Sequence, residues 1–403
     1  MSTTHIIIGA GQAGAWAAVS MRQAGFSGRI LVVGEEKWLP YERPPLSKAM
    51  LTAEPRPGPQ YFHDPAKYEA QGIEFMRGMP VMFLDVAGRR IELGDGRVLP
   101  YDRLLLATGG RARLLGVPGG ERALLLRTID QALALRERLA SARRVVCIGA
   151  GVIGLEIAAS ARALGAEVTV LEAALAPMGR SVSAEGARFV AELHARHGVA
   201  LHCGVIVKSL EREADRSERV AYGEGEAVSA DVVVAGVGME RHLALAEQAG
   251  LEVDGGIVVD EFGQTSAPGV YAAGDVAAFP HPLYGRRLRL ESWRHAQNHG
   301  VAVGRAMAGA PVPYDDVPWF WTDQHGVNLQ IAGLPTEAAR TVLRGPGAFT
   351  AIHLAEDGRV VGVTAADNPR EIRAGTALIK ARARPDPARL QDASVPLQSL
   401  IPR

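Results

Sequence analysis

Apolar and polar positions change their period several times along the chain. Residues 5–8 are a β-branched apolar run, the pattern of a buried strand. Gly9-Ala10-Gly11-Gln12-Ala13-Gly14 interrupts it, and residues 15–24 then place small and apolar side chains at helical spacing. Residues 29–33 are the next apolar strand, ending at Gly34-Glu35-Glu36. Together these segments make a strand–helix–strand unit of about 30 residues. The unit recurs: residues 144–148 are a strand, Gly149-Ala150-Gly151-Val152-Ile153-Gly154 is the turn, residues 155–164 are a helix, and residues 167–171 are a strand ending at Glu172.

Between the copies, Tyr101-Asp102-Arg103-Leu104-Leu105-Leu106-Ala107-Thr108-Gly109-Gly110 is followed by a turn-rich stretch, 111–121, that reads as a crossover between domains. A second crossover falls at Gly236-Val237-Gly238. Beyond Gly309-Ala310-Pro311 the pattern changes to alternating runs (328–332, 348–354, 359–365), an aromatic cluster at Trp319-Phe320-Trp321 and a helix over 369–380, which reads as an α+β domain. The expected boundaries are 1–112 and 239–314 for a first, interrupted domain, 113–238 for a second and 315–403 for a third. A chain of 403 residues is long enough for two to three cores.

One Gly-x-Gly-x-x-Gly is weak evidence, but both copies here follow a strand, open a helix and reach an acid about 20 residues later. The first glycine permits the tight turn, the second lets backbone approach a pyrophosphate, and the third packs helix on strand. The helix start then offers N–H groups and positive potential to phosphate, while the acid accepts ribose hydroxyls. Gly9, Gly11, Ala13, Gly14, Glu35 and Glu36 make the first such site. Gly149, Gly151, Val152, Ile153, Gly154, Glu156, Glu172 and Gly236-Val237-Gly238 make the second. Two dinucleotides are the equipment of flavin–nicotinamide hydride transfer. FAD is expected in the first site, whose domain resumes later in the chain. Glu172 repels a 2′-phosphate, and Ala173-Ala174 follow it with no adjacent cation, so NADH is expected in the second. Arg180, nearby, either weakens that preference or stacks on the adenine.

Gly269-Val270-Tyr271-Ala272-Ala273-Gly274-Asp275 resembles the strand end of two-dinucleotide flavoprotein reductases, in which the aspartate contacts the ribityl chain of FAD; Asp275 matches it. The resemblance narrows at Leu39-Pro40-Tyr41-Glu42-Arg43-Pro44-Pro45-Leu46-Ser47-Lys48, which is similar to the ferredoxin reductases of bacterial ring-hydroxylating dioxygenases and haem monooxygenases, and to apoptosis-inducing factor. It implies an α/β fold of two Rossmann-like, glutathione-reductase-like domains with a C-terminal α+β domain. It also implies that Arg43 and Lys48 contact FAD, that Val81 touches the adenine, that Arg127 meets the diphosphate or ribityl side, and that Ala107, Thr108 and Gly109 line the same site. In Leu290-Glu291-Ser292-Trp293, Glu291 meets the nicotinamide end and Trp293 the flavin. Pro318-Trp319-Phe320-Trp321-Thr322-Asp323-Gln324 resembles the run that opens the family's C-terminal domain, with Thr322 in place of the usual Ser. One of its tryptophans is expected to cover the flavin while the other packs inward; Trp321 is favoured and Trp319 is the alternative. Lys48, Glu291 and Trp321 are the residues expected to carry catalysis.

Composition adds exclusions. Lys plus Arg equals Asp plus Glu at 44 each, so net charge makes no case for nucleic acid or an anionic membrane. Cys147 and Cys203 form no CxxC or CxxxxC pair and suit neither a disulfide framework nor a metal site. Residues 43–50 hold Lys48 where single-thiol relatives hold a cysteine, so electrons are expected to leave the flavin directly. The acceptor implied by the resemblance is a small 2Fe–2S ferredoxin, docked by Arg286, Arg287, Arg289 and Arg294 if it is acidic. The competing readings are a rubredoxin reductase, an NADH oxidase, or an NADH-responsive interaction protein resembling apoptosis-inducing factor. With no disulfide framework and no signal-like start a reducing, cytoplasmic setting is expected, and with every apolar run shorter than the ~18–20 residues of a membrane helix a soluble protein is expected. Oligomeric state, monomer or homodimer, is not legible.

Overall fold

Strand Thr4–Ile8 lies at the centre of a parallel sheet because it is apolar on both faces: Ile6, Ile7 and Ile8 are 1%, 0% and 5% exposed. Burial of each such side chain contributes about 1.5–3 kcal/mol. The computed structural model describes residues 3–345 and 347–402, grouped in two compact units.

The first unit comprises Met1–Glu42, Gly58–Arg111 and Glu240–Asp316. Its parallel sheet runs in the order Val270–Ala272, Arg103–Leu106, Thr4–Ile8, Arg29–Gly34, Ile73–Arg77. The connection direction reverses at Thr4–Ile8, so the crevice at that strand's carboxyl end is where such a sheet binds ligands. Helix Gln12–Gln23 rises from that point. Helix Trp293–Met307 lies against it through small residues. A Cβ added to Gly300 would stand 2.4 Å from the Ala13 carbonyl oxygen, and one on Gly304 would stand 2.2 Å from Ser20 Oγ and 2.4 Å from the Ala17 oxygen. A small antiparallel sheet of Val81–Asp85, Arg90–Leu93 and Val98–Pro100 and a hairpin of Ala277–His281 with Arg286–Leu288 complete this unit.

The second unit comprises Arg43–Pro57, Ala112–Met239 and Val317–Arg403. Its parallel sheet, in the order Val199–Cys203, Glu167–Glu172, Arg144–Ile148, Val232–Ala235, again reverses at the strand that precedes a glycine turn. Helix Val152–Ala163 follows that turn. An antiparallel sheet of Val207–Arg212, Glu218–Tyr222 and Glu226–Ala230 was not anticipated. The C-terminal part is an antiparallel sheet ordered Trp319–Gln324, Val327–Gly333, Val360–Ala366, Thr350–Leu354, Arg340–Leu343, with helix Pro369–Lys380 on it. Segment Arg43–Pro57 groups here because it is fastened here: Arg43 donates to the Arg127 carbonyl (2.6 Å), and Arg136 donates to the carbonyls of Met50 (3.1 Å) and Ala53 (3.0 Å).

Two expectations of the α/β reading are met: a parallel sheet carries each glycine turn, and an α+β fold follows. Among the described residues no helix is long and apolar enough to cross a membrane. The helix pair of the first unit provides a test. Gly304→Val should lower folding stability by about 1–3 kcal/mol in denaturant titrations, as overpacking does.

Candidate functional site

At the first glycine turn, Gly9 takes φ +113° and a Cβ there would stand 2.2 Å from the Ala107 oxygen. Gly14 lies against the Gly9 oxygen, 2.0 Å from where its Cβ would be. Gly11 differs: it caps helix Gln12–Gln23 with no side-chain hydrogen bond, and no heavy atom beyond its chain neighbours lies within 4 Å of its Cβ position. Two glycines are therefore required by protein packing, and the middle one keeps open ground above the first helical amides. That is the shape a pyrophosphate fits. Around it, the Thr108 hydroxyl donates to the His242 carbonyl (3.0 Å), the His242 amide donates to the Gly109 carbonyl (3.0 Å), and Glu36 accepts from the Tyr41 hydroxyl (2.6 Å). Glu35 is exposed, and Val81 opens its strand half-buried. Gly274, at φ +78°, abuts the same turn, a Cβ there falling 2.8 Å from Ala13 Cβ; this sets Asp275 beside the helix start.

The second turn repeats the geometry. Gly149 takes φ +100° under the Gly236 oxygen (2.6 Å from its Cβ position), Gly154 lies on the Gly149 oxygen (2.0 Å), and Gly151 again caps a helix with no side-chain bond. Val152 and Ile153 begin that helix, and Ile153 is exposed. Glu172 accepts from the Ala150 amide at 2.5 Å and from the Ala174 amide at 2.7 Å, which aims its carboxylate at the turn. Gly238 accepts from the Arg113 amide (3.0 Å) and sits beside the Arg180 guanidinium, and Val237 lies between it and Gly236.

Glu156, expected at the nicotinamide site, is held in the second unit by side chains of the protein. It is 2% exposed, and one carboxylate oxygen accepts from Lys48 Nζ (2.8 Å) and Thr322 Oγ1 (2.7 Å) while the other accepts from Ser47 Oγ. Gln324 Nε2 donates to Thr322 (2.9 Å), and Gln324 Oε1 pairs with His194 Nε2 (2.8 Å). Lys48 also donates to the Pro44 carbonyl (3.1 Å) and lies 4.0 Å from Asp323, which accepts from Trp321 Nε1 (3.0 Å). A cavity of about 590 Å³, lined by Lys48, Glu156, Asp323, His197 and His325, opens beside the pair.

One expectation fails. Trp319 and Trp321 do not point to opposite sides. They are two apart in strand Trp319–Gln324, so the pleat sends both to one face, where their rings stack at 5.3 Å and 25°.

Other residues find local partners. Trp293 Nε1 donates to Glu42, and burial pushes the Glu42 carboxyl up, with the indole N–H opposing. Glu291 pairs with Arg241. The Arg127 amide donates to Gln131 (2.7 Å). Cys147 is buried in its strand and burial raises its thiol to about 12, so it is inert. Sequence reasoning missed Glu42, Arg241, Ser47 and the roles of Thr322 and Gln324. All but Arg241 stood in a run already singled out, Glu42 and Ser47 in 39–48 and Thr322 and Gln324 in 318–324, but nothing in those runs named their partners.

Residues 3–300 match the family described as pyridine nucleotide-disulphide oxidoreductase, and residues 319–401 match the family described as reductase C-terminal. The chain is 38% identical to the ferredoxin–NAD(+) reductase component of the anthranilate 1,2-dioxygenase system of Burkholderia cepacia, covering 98% of each. It is 39% identical to rhodocoxin reductase of Rhodococcus erythropolis, covering 99% of this chain and 94% of that one. It is also similar to the reductase in the crystal structure of the covalent putidaredoxin reductase–putidaredoxin complex, with a TM-score of 0.93, 36% identity, and 99% of this chain and 98% of that one covered.

Two outcomes follow from this geometry. Glu156→Ala strips Lys48, Ser47 and Thr322 of their acceptor and should cost about 3–5 kcal/mol of stability in denaturant titrations. Burial holds the imidazoles of His295 and His353 down to about 4 from 6.5. The unfolded chain takes up these protons below about 6.5 while the folded protein does not. Stability should therefore fall as pH drops from about 6.5 towards 4, measured as the denaturant midpoint across that window.

Proposed function

The chain belongs to the pyridine nucleotide-disulphide oxidoreductase family and carries its reductase C-terminal domain; from this we infer that it is an NADH-oxidising flavoprotein that passes electrons to a small 2Fe–2S ferredoxin serving an oxygenase. The observation that carries this reading is the pair of glycine cradles, each at the switch point of its own parallel sheet. When bound, FAD supplies two-electron acceptance from a nicotinamide and one-electron release to a metal cluster.

The protein's own groups do the rest. Gly9, Gly11, Ala13 and Gly14 present the first helix start to the FAD pyrophosphate, and Glu35, Glu36 and Asp275 take hydroxyls of its sugar parts. Gly149, Gly151 and Gly154 hold NADH in the same way, with Glu172 accepting from the free 2′-hydroxyl and opposing a 2′-phosphate. Arg43, Lys48, Val81, Arg127, Trp293, Trp319 and Trp321 are assigned to FAD, and Arg180 and Glu291 to NADH, on the family resemblance. Hydride transfer needs alignment more than acid–base chemistry, and alignment is what these cradles provide. Both cysteines are free and Cys147 is buried, so no dithiol relay intervenes.

The ferredoxin is taken to be acidic. Arg286, Arg287, Arg289 and Arg294 are all exposed on or next to the hairpin of Ala277–His281 and Arg286–Leu288, a basic surface that steers an acidic partner.

Anaerobic titration should bleach the oxidised flavin spectrum with about one equivalent of NADH and far more slowly with NADPH. A protein that binds FAD but is not bleached by NADH would remove the second cradle's assignment. Reversing Arg286 and Arg287 to Glu should slow ferredoxin-dependent cytochrome c reduction about tenfold at low salt and flatten its salt dependence. An unchanged salt dependence would place the partner elsewhere.

A further inference from the structure

Helix Trp293–Met307 carries two imidazoles that the reaction does not use. His295 and His299 are each 2% exposed. They stand in an aromatic box inside the first unit: the His299 ring is 4.9 Å from Phe279, 5.0 Å from Tyr314 and 5.0 Å from His295, centroid to centroid. His295 Nδ1 pairs with the Tyr314 hydroxyl at 3.1 Å. His299 Nδ1 instead accepts the backbone amide of Gly274 at 3.2 Å.

That bond falls on a sensitive point. Gly274 has a left-handed φ of +78° and is pressed against Ala13 of the first glycine turn. Asp275 follows it directly, within a single 3-10 turn, Gly274–Val276. A backbone N–H buried here without an acceptor would cost a desolvation penalty, and the turn would move to find one. An imidazole can accept at Nδ1 only when that nitrogen is unprotonated, which in the neutral ring puts the proton on Nε2, so the bond also selects a tautomer. The site suits a neutral ring: burial holds His299 well below its ordinary value, with the neighbouring His295 adding to the effect.

We propose that His299 is a positioning residue for the flavin cofactor: as a neutral Nδ1 acceptor it receives the Gly274 amide and so fixes the turn that presents Asp275 to FAD. This rests on the assignment of FAD to the first cradle. His299 touches no reacting atom, and its effect is read in how long the cofactor stays bound.

The test is FAD release from the full-length holoprotein, followed by flavin fluorescence on dilution well below the unfolding temperature, with unfolding followed separately by circular dichroism. His299→Leu keeps bulk and removes the acceptor. It should release FAD about tenfold faster, the scale of one buried hydrogen bond. His299→Asn returns an acceptor oxygen close to the Nδ1 position and should release within about threefold of the natural protein, on the scale of a partly weakened bond. Tyr314→Phe loosens the same box without touching Gly274 and should release at the natural rate even if its unfolding temperature falls. Equal release from His299→Leu and the natural protein overturns the proposal, as does Asn behaving like Leu, or Tyr314→Phe releasing as fast as His299→Leu. If His299→Leu does not fold, ¹⁵N spectra of the natural protein decide: the proton must be on Nε2 of His299, and a proton on Nδ1 overturns the proposal. A natural protein that holds no FAD would instead defeat the cofactor assignment itself.

Discussion

At two places the chain runs so close beneath a neighbouring strand end that only a hydrogen atom fits between them. A side chain on Gly9 would lie inside the Ala107 carbonyl, and one on Gly149 inside that of Gly236. A residue later in each helix, Gly14 or Gly154, is held on the turn's own carbonyl by the same restriction. Strand, turn and helix are thereby locked as one piece, and the first helical amides are left facing outward. Everything asked of these two sites, from anion binding to the placing of an acid at the next strand end, depends on that lock.

The second unit shows a different economy. The neighbours Ser47 and Lys48 and the remote Thr322 all donate to one buried carboxylate, Glu156, far from each of them in the sequence. Gln324 backs Thr322, and His194 backs Gln324. Every hydrogen in this chain is directed towards the carboxylate, which offsets the cost of burying its charge. The Thr-Asp-Gln that follows the tryptophans is thus explained by what it holds: Thr322 and Gln324 serve Glu156, while Asp323 receives Trp321 and lies near Lys48.

The parallel sheets and their glycine turns were legible because their cause is local. Apolar runs, glycine spacing and a terminal acid stand side by side in the sequence, and strand Arg144–Ile148 and helix Pro369–Lys380 begin and end where their patterns do. The partners of Glu156 and Trp293 were not legible, since Ser47 and Glu156, or Glu42 and Trp293, are brought together only by folding. The tryptophan pair failed for a simpler reason. Spacing of two means one face in a strand, and the expectation of opposite faces contradicted the strand that the same residues imply.

On the proposed assignment, Glu172 links cofactor choice to architecture. The carboxylate that we assign to opposing a 2′-phosphate also ties the glycine turn, through Ala150, to the loop beyond its own strand, through Ala174. Replacing it with a small or basic residue to admit NADPH would untie both backbone amides at once. On that assignment, nucleotide preference is poorly separable from mechanical integrity. A lineage or an engineer moving it towards the phosphorylated cofactor must supply new acceptors for those two amides before a new cation is of any use.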